Sequence, residues 1–233
     1  MKHALITGGA RGIGHGVAEA LLDAGYFVTV TGLTAAEVAA VPAHPALRAV
    51  RLDVTDDADI AACAGALERL DLLVNCAGII LRGGAEFDIA GFRKVVDVNL
   101  TGTMRMCMAA KPLLEETGGS IVNLASMWSF FGGAATPAYT ASKGGVAQLT
   151  KALAVAWAPA IRVNAVAPGW IETELTRGAR EDAERSAAIV ARTPQGRWGR
   201  PDDIGGAVVF LGSDAARFIT GAVLPIDGGY LAK

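Results

Sequence analysis

Seven short apolar runs recur along the chain: HALIT (3–7), FVTVT (27–31), LRAVRL (47–52), LDLLVN (70–75), SIVNLA (120–125), IRVNAV (161–166) and AVLPI (222–226). Between most of them lie segments of helical periodicity, at 13–24, 57–70, 92–114, 138–158 and 202–211. A strand–helix alternation of this kind predicts one parallel sheet covered by helices on both faces, with right-handed crossovers. Asp56 and Asp57 are placed to cap one helix, and Pro201 with Asp202 to open another.

Two stretches depart from the alternation. Residues 32–46 are too short for a full crossover helix and predict only one or two turns. Residues 169–200 form a long connection before the last helix and strand, with a helix expected near 179–192. Insertions beyond strand ends are common sites for lids and substrate pockets. No linker or repeat divides the chain, so residues 1–233 are expected to form a single domain with an insertion at about 169–200.

The bulk composition fits this scheme and removes several function classes. Apolar residues make up 52%, and 29 glycines suit tight turns and close helix packing. The formal charge is −2 with no basic block, so nucleic acid is not an expected partner. No apolar segment reaches the ~20 residues that span a bilayer, which predicts no membrane association. The start, MKHALITGGARGIG, lacks the long apolar stretch and cleavage region of a signal peptide. Cys63, Cys76 and Cys107 show neither metal-knuckle nor disulfide spacing, and three histidines are scattered. The expectation is a cytoplasmic protein with no protein-ligated metal.

The first strand runs into TGGARGIG, Thr7 to Gly14. Glycines there permit a tight turn and a close approach of pyrophosphate to the main chain, while the next helix start supplies N–H donors. A plain tight strand–helix connection would use the same residues; the position after the first strand favours nucleotide binding. Further along, Tyr139 and Lys143 in YTASK lie on one face of a helix. A cation beside a phenol favours the phenolate, so the pair can pass a proton to or from an alcohol oxygen. Ser126 ends the fifth strand, where its hydroxyl can polarise a carbonyl. Asn99, in VDVNL, is an awkward helix-interior residue suited to hold a bend and a water leading to Lys143. Taken singly, each also has a plain structural reading as a turn, a kink or one face of a helix.

The order and spacing of these motifs resemble the short-chain dehydrogenase/reductase family, whose cofactor motif is TGxxxGIG, over nearly the whole chain. The resemblance implies a Rossmann-type doubly wound fold and hydride transfer between NAD or NADP and a ketone/secondary alcohol pair. Asn99, Ser126, Tyr139 and Lys143 each match the family's catalytic tetrad. Gly8, Arg11, Gly12, Ile13 and Gly14 fall in the cofactor turn. Asp53 matches the aspartate that accepts from the adenine amino group, with Val54 offering its N–H; capping of its own turn is the alternative. Asn75, Ala77 and Gly78 belong to NCAG, similar to the family's NNAG with Cys76 substituted. Pro168 and Gly169 look like the turn beside the nicotinamide, followed by Ile171 and Thr173 as further cofactor contacts.

Cofactor choice is less plainly written. The place of the ribose-binding carboxylate falls on Gly32, and Glu37 is expected inside the short helix that follows. Arg11, Thr31, Leu33 and Thr34 are positioned to meet a 2′-phosphate, which tilts the expectation towards NADP over NAD. Trp128 and Trp170, with Ser126 and Tyr139, predict a substrate pocket suited to an apolar or cyclic substrate. Trp and Phe side chains here serve equally well as lid or subunit contacts, and a 3-oxoacyl or sugar substrate stays open. Arg177, Arg180 and Arg185 can serve an acidic substrate or simply face solvent. The family resemblance also implies a homotetramer or homodimer. Two rivals remain: a dehydratase or epimerase with resident cofactor, and a non-catalytic nucleotide-sensing or scaffold protein on the same fold.

Overall fold

A computed structural model describes all residues 1–233. The strands are β1 (His3–Thr7), β2 (Phe27–Gly32), β3 (Leu47–Arg51), β4 (Leu72–Asn75), β5 (Ser120–Leu124), β6 (Arg162–Pro168) and β7 (Val223–Ile226). The helices are α1 (Gly12–Asp23), α2 (Ala35–Ala39), α3 (Asp57–Gly65), α4 (Ile89–Val96), α5 (Gly102–Thr117), α6 (Pro137–Trp157), α7 (Arg177–Glu181), α8 (Ala183–Arg192) and α9 (Asp202–Gly212). All seven strands pair in parallel, in the order β3-β2-β1-β4-β5-β6-β7. Every expected strand is present, and residues 32–46 carry only the five-residue α2. This is the Rossmann-type doubly wound fold.

The sheet buries both faces because its strands read as nearly continuous apolar runs. On one face Ala4, Ile6, Val28, Val30, Val74 and Val122 meet Val17 and Leu21 of α1 and Ile204 and Val208 of α9. On the other, Leu5, Leu73, Ile121 and Val163 meet α3, α5 and α6 through Ile60, Met106, Cys107, Leu114 and Leu153. The strand order reverses between β1 and β4, which opens a crevice at the carboxyl ends of the strands. TGGARGIG, NCAG, Ser126 and Pro168 all lie at those ends.

Three helices depart from the periodicity, each for a local reason. The helix expected at 57–70 stops at Gly65, because Leu67 N–H turns back to Ala64 O at 3.1 Å and Leu67 and Leu70 enter the core. The helix expected at 92–114 starts at Ile89, where the Asp88 carboxylate accepts from Ala90 and Gly91 N–H. It is interrupted by a π-helical turn at Asp97–Thr101, which contains Asn99, and runs on to Thr117. The helix expected near 179–192 is two helices broken at Asp182, whose carboxylate accepts from Arg185 N–H at 3.0 Å and caps the second.

Candidate active site

The glycine-rich turn is held open by β2. Thr31 Oγ1 accepts from Gly8 N–H at 3.1 Å, and Thr31 O accepts from Ala10 N–H at 3.2 Å. Gly8 and Gly12 have φ of +63° and +57°, a region costly for other residues. A Cβ at Gly14 would lie 2.6 Å from Gly8 O, so only glycine lets α1 start this close to the loop. The first amides of α1, at Gly12, Ile13 and Gly14, have no carbonyl one turn earlier and form an open donor nest. Thr173 stands across from Gly12, its Cγ2 3.6 Å from where a Cβ would be. A cradle of this shape, lined by main-chain donors, fits the pyrophosphate of a dinucleotide.

The other expected cofactor positions gather around the same crevice, and several spend their side chains on structure. Asp53 Oδ1 accepts from Thr55 N–H and Oγ1 at 2.9 and 2.7 Å, and these bonds hold its carboxyl below the usual range. Its Oδ2 makes no hydrogen bond within the protein, so turn capping leaves one carboxylate oxygen open. Val54 is buried at the foot of α5, against Gly102. Asn75 donates to Asn123 Oδ1 at 2.9 Å and faces Cys107 Sγ, tying β4 to β5 beneath the crevice. Ala77 N–H is fixed by Thr7 Oγ1 at 3.1 Å, and Gly78 gives Asn99 and Lys143 room. Gly169 allows contact with the Asp227 main chain, Ile171 buries its side chain in the core, and Thr173 starts a capping box with Thr176. Burial pushes the Cys76 thiol up to about 12, which disfavours its thiolate.

Asn99 is fully buried. Its Oδ1 accepts from Ile79 N–H at 2.8 Å, and its Nδ2 donates to Ile79 O at 2.9 Å and Ser142 Oγ at 3.1 Å. The π-turn thus bends the helix so that Asn99 clamps the loop after β4 onto α6. On α6, Lys143 is 3% exposed; its Nζ donates to Leu124 O at 2.6 Å and lies 5.6 Å from the Tyr139 ring centroid. Ser126 caps a short turn, accepting from Trp128 N–H at 3.3 Å, and its hydroxyl lies near enough to the Tyr139 phenol to favour the phenolate. Ser129 Oγ donates to Lys143 O at 2.7 Å and joins this turn to α6. The structure therefore brings all four together.

Burial sets the protonation of the pair. It pushes the Tyr139 phenol up to about 12, partly offset by the nearby Ser126 hydroxyl and the charge of Arg82. It pushes the Lys143 ammonium down to about 8. The phenol is raised and not lowered as expected from the neighbouring lysine, because desolvation dominates and Lys143 is not among the groups that shift it. A protonated Tyr139 at neutral pH is poised to donate a proton to a developing alkoxide.

Two residues at this site carry no motif and were not anticipated from sequence. Glu86, 1% exposed, accepts from Tyr139 N–H at 2.9 Å and Leu81 N–H at 3.0 Å, bridging the β4 loop to the start of α6. Arg82 donates to Leu175 O at 3.0 Å, across to the 169–200 segment. The only sequence signal was two charges flanking GG in an otherwise apolar loop. Trp128 meets Tyr139 edge-to-face at 5.6 Å and Trp170 at 6.0 Å, forming a continuous aromatic wall. A cavity of about 370 Å³ lies on the other side of Trp170, beside Arg197 and Asp227, and touches none of the four clustered residues.

Known proteins share this arrangement of the chain. A family model described as enoyl-(acyl carrier protein) reductase matches residues 8–231. A 2-dehydro-3-deoxy-D-gluconate 5-dehydrogenase of Pseudoalteromonas atlantica is 41% identical over 249 residues, covering 100% of this chain and 96% of its own. A cis-4-hydroxycyclohexanecarboxylate dehydrogenase of Sinomonas cyclohexanicum is 40% identical, covering 98% and 96%. The crystal structure of a gluconate 5-dehydrogenase from Burkholderia cenocepacia, in complex with NADP and tartrate, superposes with a TM-score of 0.93 at 34% identity, covering 100% of this chain and 96% of that one.

Proposed function

The chain belongs to the short-chain dehydrogenase/reductase family and is an NAD(P)-dependent oxidoreductase of small carbonyl/alcohol pairs, and we propose that Asn99, Ser126, Tyr139 and Lys143 carry its chemistry. The observation that carries this reading is the convergence of Ser126 beside the Tyr139 phenol, a buried Lys143 against the Tyr139 ring and the Asn99 clamp, next to an open donor nest. A bound nicotinamide supplies or accepts the hydride at the substrate carbon. The Gly12–Gly14 amides and Thr173 hold its pyrophosphate; Asp53, Val54, Ala77, Gly78, Pro168 and Gly169 line the rest of its bed. In reduction, Ser126 orients the carbonyl oxygen and Tyr139 O–H gives it a proton as negative charge develops. Lys143 steadies the phenolate left behind. In oxidation the same phenol, deprotonated, takes the alcohol proton.

The choice between NAD and NADP turns on Glu37. Its Oε1 lies 3.2 Å from Arg11 Nε, and its Oε2 accepts from Leu33 N–H at 2.7 Å. A Cβ at Gly32 would come within 2.9 Å of Glu37 Cβ, so this carboxylate, delivered from α2, covers the strand end that lacks its own acid. An acid there accepts from a ribose diol, repels a 2′-phosphate and competes for Arg11. This supports NAD as the preferred cofactor, against the tilt towards NADP drawn from Gly32 and from Arg11, Thr31, Leu33 and Thr34. Titrating reduced-nicotinamide fluorescence tests it: NADH binds more tightly than NADPH, and Glu37→Gln narrows the gap. Tighter NADPH binding to the unaltered protein would overturn the assignment.

The edge strand β7 and exposed Val155 and Phe218 support association into a homodimer or homotetramer, and three free cysteines suit a cytoplasmic setting.

A further inference from the structure

The arginines expected to serve either a substrate or the solvent separate cleanly in three dimensions. Arg177 pairs with Glu174 and Arg180 with Glu172, while Arg197 and Arg200 pair with Asp203 and Asp202. Arg185 pairs with no carboxylate. Its guanidinium lies over the Trp170 ring at 5.8 Å from the centroid, on the wall that runs from Trp170 through Trp128 to Tyr139. Arg82 makes no ion pair either, although the Glu86 carboxylate lies near enough to favour its charge; its one side-chain hydrogen bond goes to the Leu175 carbonyl, which brings it to the same segment. The charges of Arg82 and Arg185 lie close enough to oppose each other, and Arg82 lies close enough to Tyr139 to favour its phenolate. In the same wall, the buried Trp170 Nε1–H has no acceptor in the protein.

Two like charges held near one another, with an orphaned donor beside them, are better satisfied by an anion than by solvent alone. The surroundings narrow the anion. The aromatic wall takes a small apolar or cyclic body edge-on, and the reacting carbon must sit by Ser126 and Tyr139. One net negative group at the far end of such a substrate meets both guanidiniums. We propose that Arg82 and Arg185 form a carboxylate receptor, so that the substrates are hydroxy and oxo carboxylic acids and not neutral alcohols. Arg82, in the β4 loop, and Arg185, on α8, also join across the cleft through that carboxylate. This rests on the hydride-transfer reading above, and it adds what that reading leaves open.

Binding and turnover separate the two. Trp fluorescence of the cofactor-loaded protein is titrated with tartrate and with threitol, its uncharged counterpart. Tartrate binds with an affinity that falls roughly tenfold to a hundredfold in the Arg82→Met/Arg185→Met variant, the loss expected for two charge-assisted contacts, whereas threitol binds weakly in both. Added salt weakens tartrate only. Arg177→Met, which removes a paired arginine, leaves the affinity for tartrate unchanged. Equal binding of tartrate and threitol, or an unaltered tartrate affinity in the double variant, overturns the receptor whatever the turnover. Turnover of 4-hydroxycyclohexanecarboxylate and of 4-methylcyclohexanol then reports on hydride transfer itself. Parity between them in the unaltered enzyme sinks the carboxylate receptor and leaves the oxidoreductase standing.

Discussion

Tyr139 and Lys143 share one buried pocket, and burial drives their protons in opposite senses, to about 12 and about 8. Alcohol oxidation needs the phenolate, so its kcat/KM rises with pH across the neutral and mildly alkaline range, while carbonyl reduction uses the protonated phenol already present. Steady-state rates in both directions against pH check this. A pH-independent oxidation rate would contradict it. Lys143 also has a stability consequence. Its folded pKa lies below the ordinary 10.5, so the burial penalty is complete below pH 8 and vanishes above the unfolded pKa; stability rises with pH between the two. Lys143→Met therefore raises stability at neutral pH by roughly 1–3 kcal/mol, an upper range set by 1.36 kcal/mol per pKa unit, while activity collapses. A melting curve of that variant at pH 7 measures it. Glu86 acts on Tyr139 by geometry and by charge, since its carboxylate pushes the phenol up. Glu86→Gln shifts the rise of the oxidation profile to lower pH and lowers kcat; a merely structural role would lower kcat with the profile unmoved.

At the scale of elements, what was legible in the sequence was whatever depends on local pattern. β1, β2, β4, β5 and β6 read as apolar runs because both faces are buried, and TGGARGIG, Ser126 and YTASK read as motifs because their spacing is fixed. What was not legible depends on a partner far along the chain. The π-turn at Asp97–Thr101 exists because Asn99 reaches Ile79, and nothing in VDVNL alone sets that bend. Glu37 reaches the strand end from α2 across a five-residue gap, a geometry that spacing from Gly32 cannot supply. Arg185 is told apart from Arg177 and Arg180 only when Glu174 and Glu172 have chosen their partners. Asn99→Ala removes three buried hydrogen bonds and frees Ile79 N–H and O. The expected cost is about 2–4 kcal/mol of stability together with loosened cofactor binding, read by thermal melting and by nicotinamide titration. Unchanged cofactor affinity would show that the clamp does not shape the crevice.

Across the whole molecule, one continuous parallel sheet connects the proposed cofactor bed over β1 and β4 to the proposed reacting groups beyond β5 and β6. Ligand binding at the strand ends should then stabilise the fold as a unit. At a cofactor concentration a hundredfold above its Kd, linkage adds about 2.7 kcal/mol, seen as a rise in Tm. The 169–200 segment is tied to the body by the Arg82–Leu175 contact and by Ile171 in the core. The most direct test of the account is nicotinamide turnover by the unaltered protein and by Tyr139→Phe, with 4-hydroxycyclohexanecarboxylate as the alcohol and cofactor affinity measured on both. The account predicts equal cofactor affinity and a turnover lower by about 10²–10⁴ in the variant. Turnover that survives the loss of the phenol would mean that the proton moves through some other group, and the site assigned here would not be the site of reaction.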